Sequence, residues 1–88
     1  MIFKIIENYI NNLTKSDIIS FSNKNNINLN NQELDYIYNI VKKDYKILLS
    51  DNYDIIFKNA NNVIRDDNLK KIYNLFLDYR FKYKNYLN

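Results

Sequence analysis

The side chains able to do chemistry in this chain are carboxylates, amines, phenols and hydroxyls, because its 88 residues include no Cys and no His. A thiolate nucleophile, an imidazole base and the common N/S zinc sites are therefore excluded. The lack of Gly removes the usual phosphate-cradling loop, which needs backbone that approaches a ligand closely and adopts φ > 0. Carboxylates do occur in pairs, at Asp51/Asp54 and Asp66/Asp67. Two acids held together can bind a hard cation or divide acid and base roles. Both pairs, however, stand where helices are expected to begin, and acids there stabilise the positive end of the helix dipole. The Gly and the regular ligand spacing of an EF-hand loop are missing. Capping is the better reading, so no catalytic residue, metal ligand or cofactor is assigned and no enzymatic activity is expected.

A second chemistry is written in Tyr79-Arg80-Phe81-Lys82-Tyr83-Lys84-Asn85-Tyr86, where cations alternate with aromatics. That combination tracks a phosphate backbone while stacking bases. In helical register Tyr79 and Tyr83 turn inward, which leaves Arg80, Phe81, Lys82, Lys84 and Tyr86 as candidate nucleic-acid contacts. The competing explanation is local, since cations in a last turn complement the negative end of a helix. Charge supports only this end: residues 1–44 balance, whereas residues 45–88 hold eight Lys/Arg against five Asp. A helix-turn-helix over the second and third helices is disfavoured. Its recognition helix would open on Asn31-Gln32-Glu33-Leu34-Asp35, placing two acids against the DNA.

The elements that must position these groups are helices. Apolar residues recur at spacings of three and four, and hairpin turns would normally demand Gly. The first helix is expected over about residues 2–12, with Ile2, Ile6, Tyr9, Ile10 and Leu13 on one face. Thr14 and Asp17 have the spacing of a capping box that starts a short second helix with Ile18, Phe21 and Ser22 inward. Asn25-Asn26 ends it, because Asn tolerates the αL conformation that Gly would otherwise supply. Asn30 and Glu33 form a second capping box, and Leu29 and Leu34 have the spacing of a hydrophobic staple.

The third helix carries Leu34, Ile37, Tyr38, Val41, Tyr45, Leu48 and Leu49, with a break expected near Lys42-Lys43-Asp44. A fourth helix presents Tyr53, Ile56, Phe57, Ala60, Val63 and Ile64. The fifth, from a cap at Asp66 or Asp67 to about residue 86, presents Leu69, Ile72, Tyr73, Phe76, Tyr79, Tyr83 and Leu87. The fold class is all-α: a compact single domain, residues 1–88, built as a bundle of four to five helices with the C-terminal helix central.

The third helix has a second apolar stripe, Tyr36, Ile40 and Ile47, some 200–240° around from Leu34 at about 100° per residue. Another helix of the same chain covers it, or it is a surface for a protein partner or for self-association. This stripe is the leading candidate surface, and a non-catalytic interaction or adaptor module is the leading function. The nucleic-acid reading of the C-terminal helix is the alternative.

Across residues 10–49 the runs Ile10-Asn11-Asn12-Leu13-Thr14-Lys15-Ser16-Asp17-Ile18-Ile19, Asn26-Ile27-Asn28-Leu29 and Glu33-Leu34 resemble the YqfT-like family. These are short proteins of low-GC Gram-positive bacteria with no known function. The similarity extends to Lys71-Ile72-Tyr73-Asn74-Leu75-Phe76 and stops before the basic-aromatic end. The resemblance implies a small cytosolic helical protein and supplies no catalytic or binding residues.

Composition agrees. Asn fills about a fifth of the positions, and Asn, Lys, Ile, Tyr and Phe share A/T-rich codons, the signature of an AT-rich genome. Charges interrupt the apolar run Met1-Ile2-Phe3-Lys4-Ile5-Ile6-Glu7, so neither a signal peptide nor a membrane span is expected there. A folded monomer of 10.8 kDa should expose about 5,500 Å², enough burial for one core.

Overall fold

Side chains, in place of Gly and Pro, cap two of the helix starts in this protein. A computed structural model describes residues 2–87, with side chains described over residues 4–82. In chain order the helices are α1 (Ile2–Asn12), α2 (Lys15–Lys24), α3 (Asn31–Leu49), α4 (Asp54–Ala60) and α5 (Asp66–Leu87). No strand occurs among the described residues. Thr14 Oγ1 accepts from the Asp17 amide at 3.2 Å, and the Thr14 amide donates to Asp17 Oδ2 at 2.9 Å. The same reciprocal pair opens α3, with Asn30 Oδ1 accepting from the Glu33 amide at 2.8 Å and the Asn30 amide donating to Glu33 Oε1 at 3.0 Å. Each box satisfies two amides that the first turn leaves without helical partners.

At the other ends, Asn26 takes φ 59° just beyond α2, the αL conformation expected of it. The last carbonyls of α1 are reached from outside the helix: Lys42 Nζ donates to Ile10 O at 2.7 Å and to Asn11 O at 3.1 Å. That cation sits on the negative end of the α1 dipole and ties α1 to α3. Thr14→Ala is expected to lower stability by about 1 kcal/mol, a fall of about 4–8 °C in Tm for a domain of this size. Adding Asp17→Ala to it should cost little more, because the two bonds act as one unit. Thermal melts followed by circular dichroism read both effects.

α3 is continuous in hydrogen bonding but leaves helical geometry at Asp44, with φ −114° and ψ 19°, within the break expected near Lys42-Lys43-Asp44. A short acid that competes for backbone amides favours such a departure. α4 is shorter than its apolar face suggested, and Val63 and Ile64 fall in the turn after Ala60. Neither Asp66 nor Asp67 is the cap of α5; both lie in its first turn. The cause is at Arg65, whose carbonyl accepts from the Leu69 amide at 2.8 Å and so begins the helix one residue earlier than expected.

The core has two parts. Leu13, Ile18 and Leu34 form one buried cluster, against which Leu29, Ile37, Tyr38 and Val41 pack. The staple pair Leu29/Leu34 is thus part of this core. The other part is aromatic. Phe57 meets Tyr73 edge-on at 4.8 Å between centroids and Phe76 at 5.1 Å, and Tyr53 meets Phe76 at 5.1 Å. Such pairs add about 0.5–1.5 kcal/mol each beyond their burial. The radius of gyration, 12.6 Å, is close to the ~12 Å of a compact domain of this length.

Candidate interaction surface

The most strongly organised polar group joins the starts of α3 and α5. Glu33 is fully buried at 0 % exposure. Its Oε1 accepts from Arg65 Nη2 at 3.0 Å and Asn68 Nδ2 at 3.2 Å, in addition to the Asn30 amide. Its Oε2 accepts from the Arg65 amide at 2.8 Å and from Arg65 Nε at 3.3 Å. Arg65 Nη2 and Asn68 Nδ2 also donate to Asn28 O, at 2.6 and 2.9 Å, which ties in the α2–α3 loop. Burial pushes the Glu33 carboxyl up. The hydrogen bonds from Arg65 and the Asn30 amide, with the Arg65 charge, outweigh that and lower its pKa from 4.5 to about 2.

A carboxylate so held, accepting on both oxygens, takes no proton from a substrate at neutral pH. The group is a clamp.

The pair Asp51/Asp54 is engaged by side chains of α5. Asp51 Oδ1 accepts from Arg80 Nη2 at 2.9 Å, and Asp54 Oδ1 accepts from Tyr73 Oη at 3.3 Å. The Tyr73 phenol is raised, first by burial and then by the Asp54 charge. Among the described residues no cluster of three or more His, Cys, Asp or Glu could hold a metal ion.

The basic end of α5 divides. Arg80 is half-buried. It donates to Asp51 and, through Nη1 at 3.4 Å, to Leu48 O. Its guanidinium also lies 4.6 Å from the centroid of the Tyr53 ring. It therefore fastens α5 to the α3–α4 turn. Phe81 and Lys82 are exposed, whereas Lys84 and Tyr86 lie outside the described side chains. Cations elsewhere are also engaged: Lys15 pairs with Asp35 at 2.7 Å, and Lys15 and Lys42 both lie 5.5 Å from the Tyr38 ring centroid.

The stripe on α3 is only partly open. Tyr36 and Ile40 are half-buried and Ile47 is 40 % exposed. The departure at Asp44 lies between Ile40 and Ile47 and breaks the helical phase that grouped them.

Larger apolar exposure lies on another side. A cleft of about 350 Å³ opens between α1, α2, α3 and α5, lined by Tyr9, Leu13, Phe21, Val41, Leu75 and Tyr79 among others. Asp17 is its one charged lining residue, and that carboxylate is already bonded to the Thr14 amide. Tyr9 is 66 % exposed at the rim, and Phe21 and Tyr79, each 45 % exposed, stand 6.0 Å apart between ring centroids.

Periodicity put Tyr9, Phe21 and Tyr79 on inward faces, but all three remain exposed where they line the cleft. What periodicity misses is that α1, α2, α3 and α5 leave a gap where those faces meet. The signal present was the aromatic content of three faces aimed at one place. The clamp gave less warning, because Arg65 and Asn68 lie 32 and 35 residues from Glu33. No protein-family model, curated protein or solved structure matches the chain.

Proposed function

We propose that the protein is a non-catalytic interaction module that receives an apolar helix face in the cleft between α1, α2, α3 and α5. The observation that carries this reading is the cleft itself, an aromatic-rimmed apolar groove of about 350 Å³. A helix in a groove docks through large side chains at i, i+3, i+4 and i+7. An engineered apolar cavity of about 150 Å³ accepts benzene, so this groove has room for about two such groups. Tyr9, Phe21 and Tyr79 supply the rigid amphipathic area that interfaces favour at their centres. The stripe Tyr36, Ile40 and Ile47 offers less open apolar surface and is a weaker docking face. The resemblance to YqfT-like proteins supports a small helical protein without site chemistry, and a cytosolic location is part of the proposal on that ground alone.

The test is site-specific photo-crosslinking in the native cell, with the reactive residue at position 21, 40 or 82. Adducts to protein from position 21, with few from position 40, are the expected result. Adducts confined to position 40 would move the docking face to the α3 stripe. Nuclease-sensitive adducts from position 82 would favour the nucleic-acid reading through Phe81 and Lys82.

A further inference from the structure

We infer that the cleft between α1, α2, α3 and α5 is a binding site for a small organic cation, an aromatic ring that carries an aliphatic ammonium group. The inference goes beyond helix docking, because it concerns the cleft alone and needs no protein partner. Its first support is a juxtaposition on α2. Asp17 and Phe21 are four residues apart, so they share one face of that helix, and both line the cleft. The Tyr79 ring of α5 stands 6.0 Å from the Phe21 ring between centroids. One wall therefore sets a carboxylate one turn from a pair of aromatic rings. An ammonium is attracted by both, through charge at the carboxylate and through the quadrupole at a ring face.

The carboxylate can receive it. Asp17 Oδ2 accepts from the Thr14 amide at 2.9 Å, but a carboxylate offers about four acceptor positions. Asp17 is exposed, and among the described residues it forms no ion pair. It is also the one charged residue that lines the cleft, so the same charge disfavours an anion.

The second support is size. About 350 Å³ lies at the small end of the ~300–1,000 Å³ typical of small-molecule sites. The deeper lining is apolar, with Leu13 and Ile18 each 9 % exposed and Ile27 3 % exposed. A body of one or two rings fits against those residues while its ammonium stays at the open edge with Asp17 and Phe21. The groove between α4 and α5 is larger, about 590 Å³, but it sets Lys58 and Lys70 beside Asp54 and Asp66. Its charges balance, and Asp54 already accepts from Tyr73 Oη.

Three indole probes of similar size test the inference: tryptamine is a cation, tryptophol is neutral and indole-3-acetate is an anion. The chain has no Trp, so indole fluorescence excited beyond tyrosine absorption reports the probe alone. The full chain is titrated into each probe to about 1 mM, at roughly 0.15 M salt to screen the net charge of +3. Tryptamine should bind with a Kd on the order of 100 µM to 1 mM, tryptophol more weakly and indole-3-acetate most weakly. Asp17→Asn keeps an acceptor for the Thr14 amide and loses the charge. It should weaken tryptamine about two- to fivefold and leave tryptophol unchanged, with circular dichroism recorded alongside to check the fold. Methyl NMR signals of Ile18, Val41 and Leu75 should shift with tryptamine, and those of Ile55 and Leu69 in the α4–α5 groove should not.

No saturable binding of tryptamine overturns the site. Equal affinity for the three probes overturns it too, as does binding indifferent to Asp17→Asn or a shift confined to Ile55 and Leu69. Protein adducts from position 21 are read independently, so helix docking stands or falls apart from these titrations.

Discussion

Glu33→Ala is expected to cost about 3–5 kcal/mol, the largest single-residue loss in the protein. The carboxylate is fully buried and accepts from two backbone amides, a guanidinium and an amide side chain. Removing one partner of a buried, hydrogen-bonded ion pair leaves the others uncompensated, which is the source of that magnitude. Arg65 softens the loss, since its side chain is 54 % exposed and can turn to water. The amides of Asn30 and Arg65 have no such freedom. A domain of this length has about 4–13 kcal/mol in all, so the variant should be substantially unfolded at 37 °C. Urea titration at 10 °C against the wild type measures the difference.

Acid should act through the same group. The Glu33 pKa is depressed in the folded state, about 2 against 4.5. Its contribution is therefore fully present above the unfolded value and is lost as pH falls through the folded one. Linkage makes the loss about 3 kcal/mol between pH 7 and pH 2. Glu33→Gln cannot lose it, so the stability of the two proteins should converge as pH falls from 5 toward 2. Parallel curves would mean that the unfolded chain already lowers this carboxyl.

Much of the fold was legible because its signals are local. Thr14/Asp17 and Asn30/Glu33 are three residues apart, and a capping box can be read at that distance with no knowledge of the rest of the chain. The break near Asp44 and the αL residue at Asn26 are equally local. The clamp was half legible: Glu33 was visible as a box residue, but both carboxyl oxygens also accept from residues across the bundle. Arg65 then shifted the start of α5, a tertiary contact overriding a local preference for Asp at the cap. Surface was the least legible feature. Helical phase assigns Phe21 and Tyr79 to inner faces, yet whether an inner face is filled depends on how many helices meet there. No spacing within one helix carries that information.

Leu34→Ala is expected to cost about 2–5 kcal/mol, the second largest effect. Leu34 is 8 % exposed and belongs to the buried cluster with Leu13 and Ile18, so truncation removes transfer energy and leaves a cavity between α1, α2 and α3. It also breaks the staple with Leu29 that fixes how the chain enters α3. The position within the helix does not set the size of the effect, as a second α3 substitution shows: Ile47→Ala, at a residue 40 % exposed, should stay within about 0.5 kcal/mol of the wild type. Burial decides between them. Leu13→Ala combined with Leu34→Ala should cost less than the sum of the two, because both enlarge one cavity and the helices around it can close together. Urea midpoints for the two single variants, the double variant and Ile47→Ala measure all of these terms. A strictly additive double variant would mean that Leu13 and Leu34 are supported by separate neighbours, and the cluster would then be two small cores instead of one.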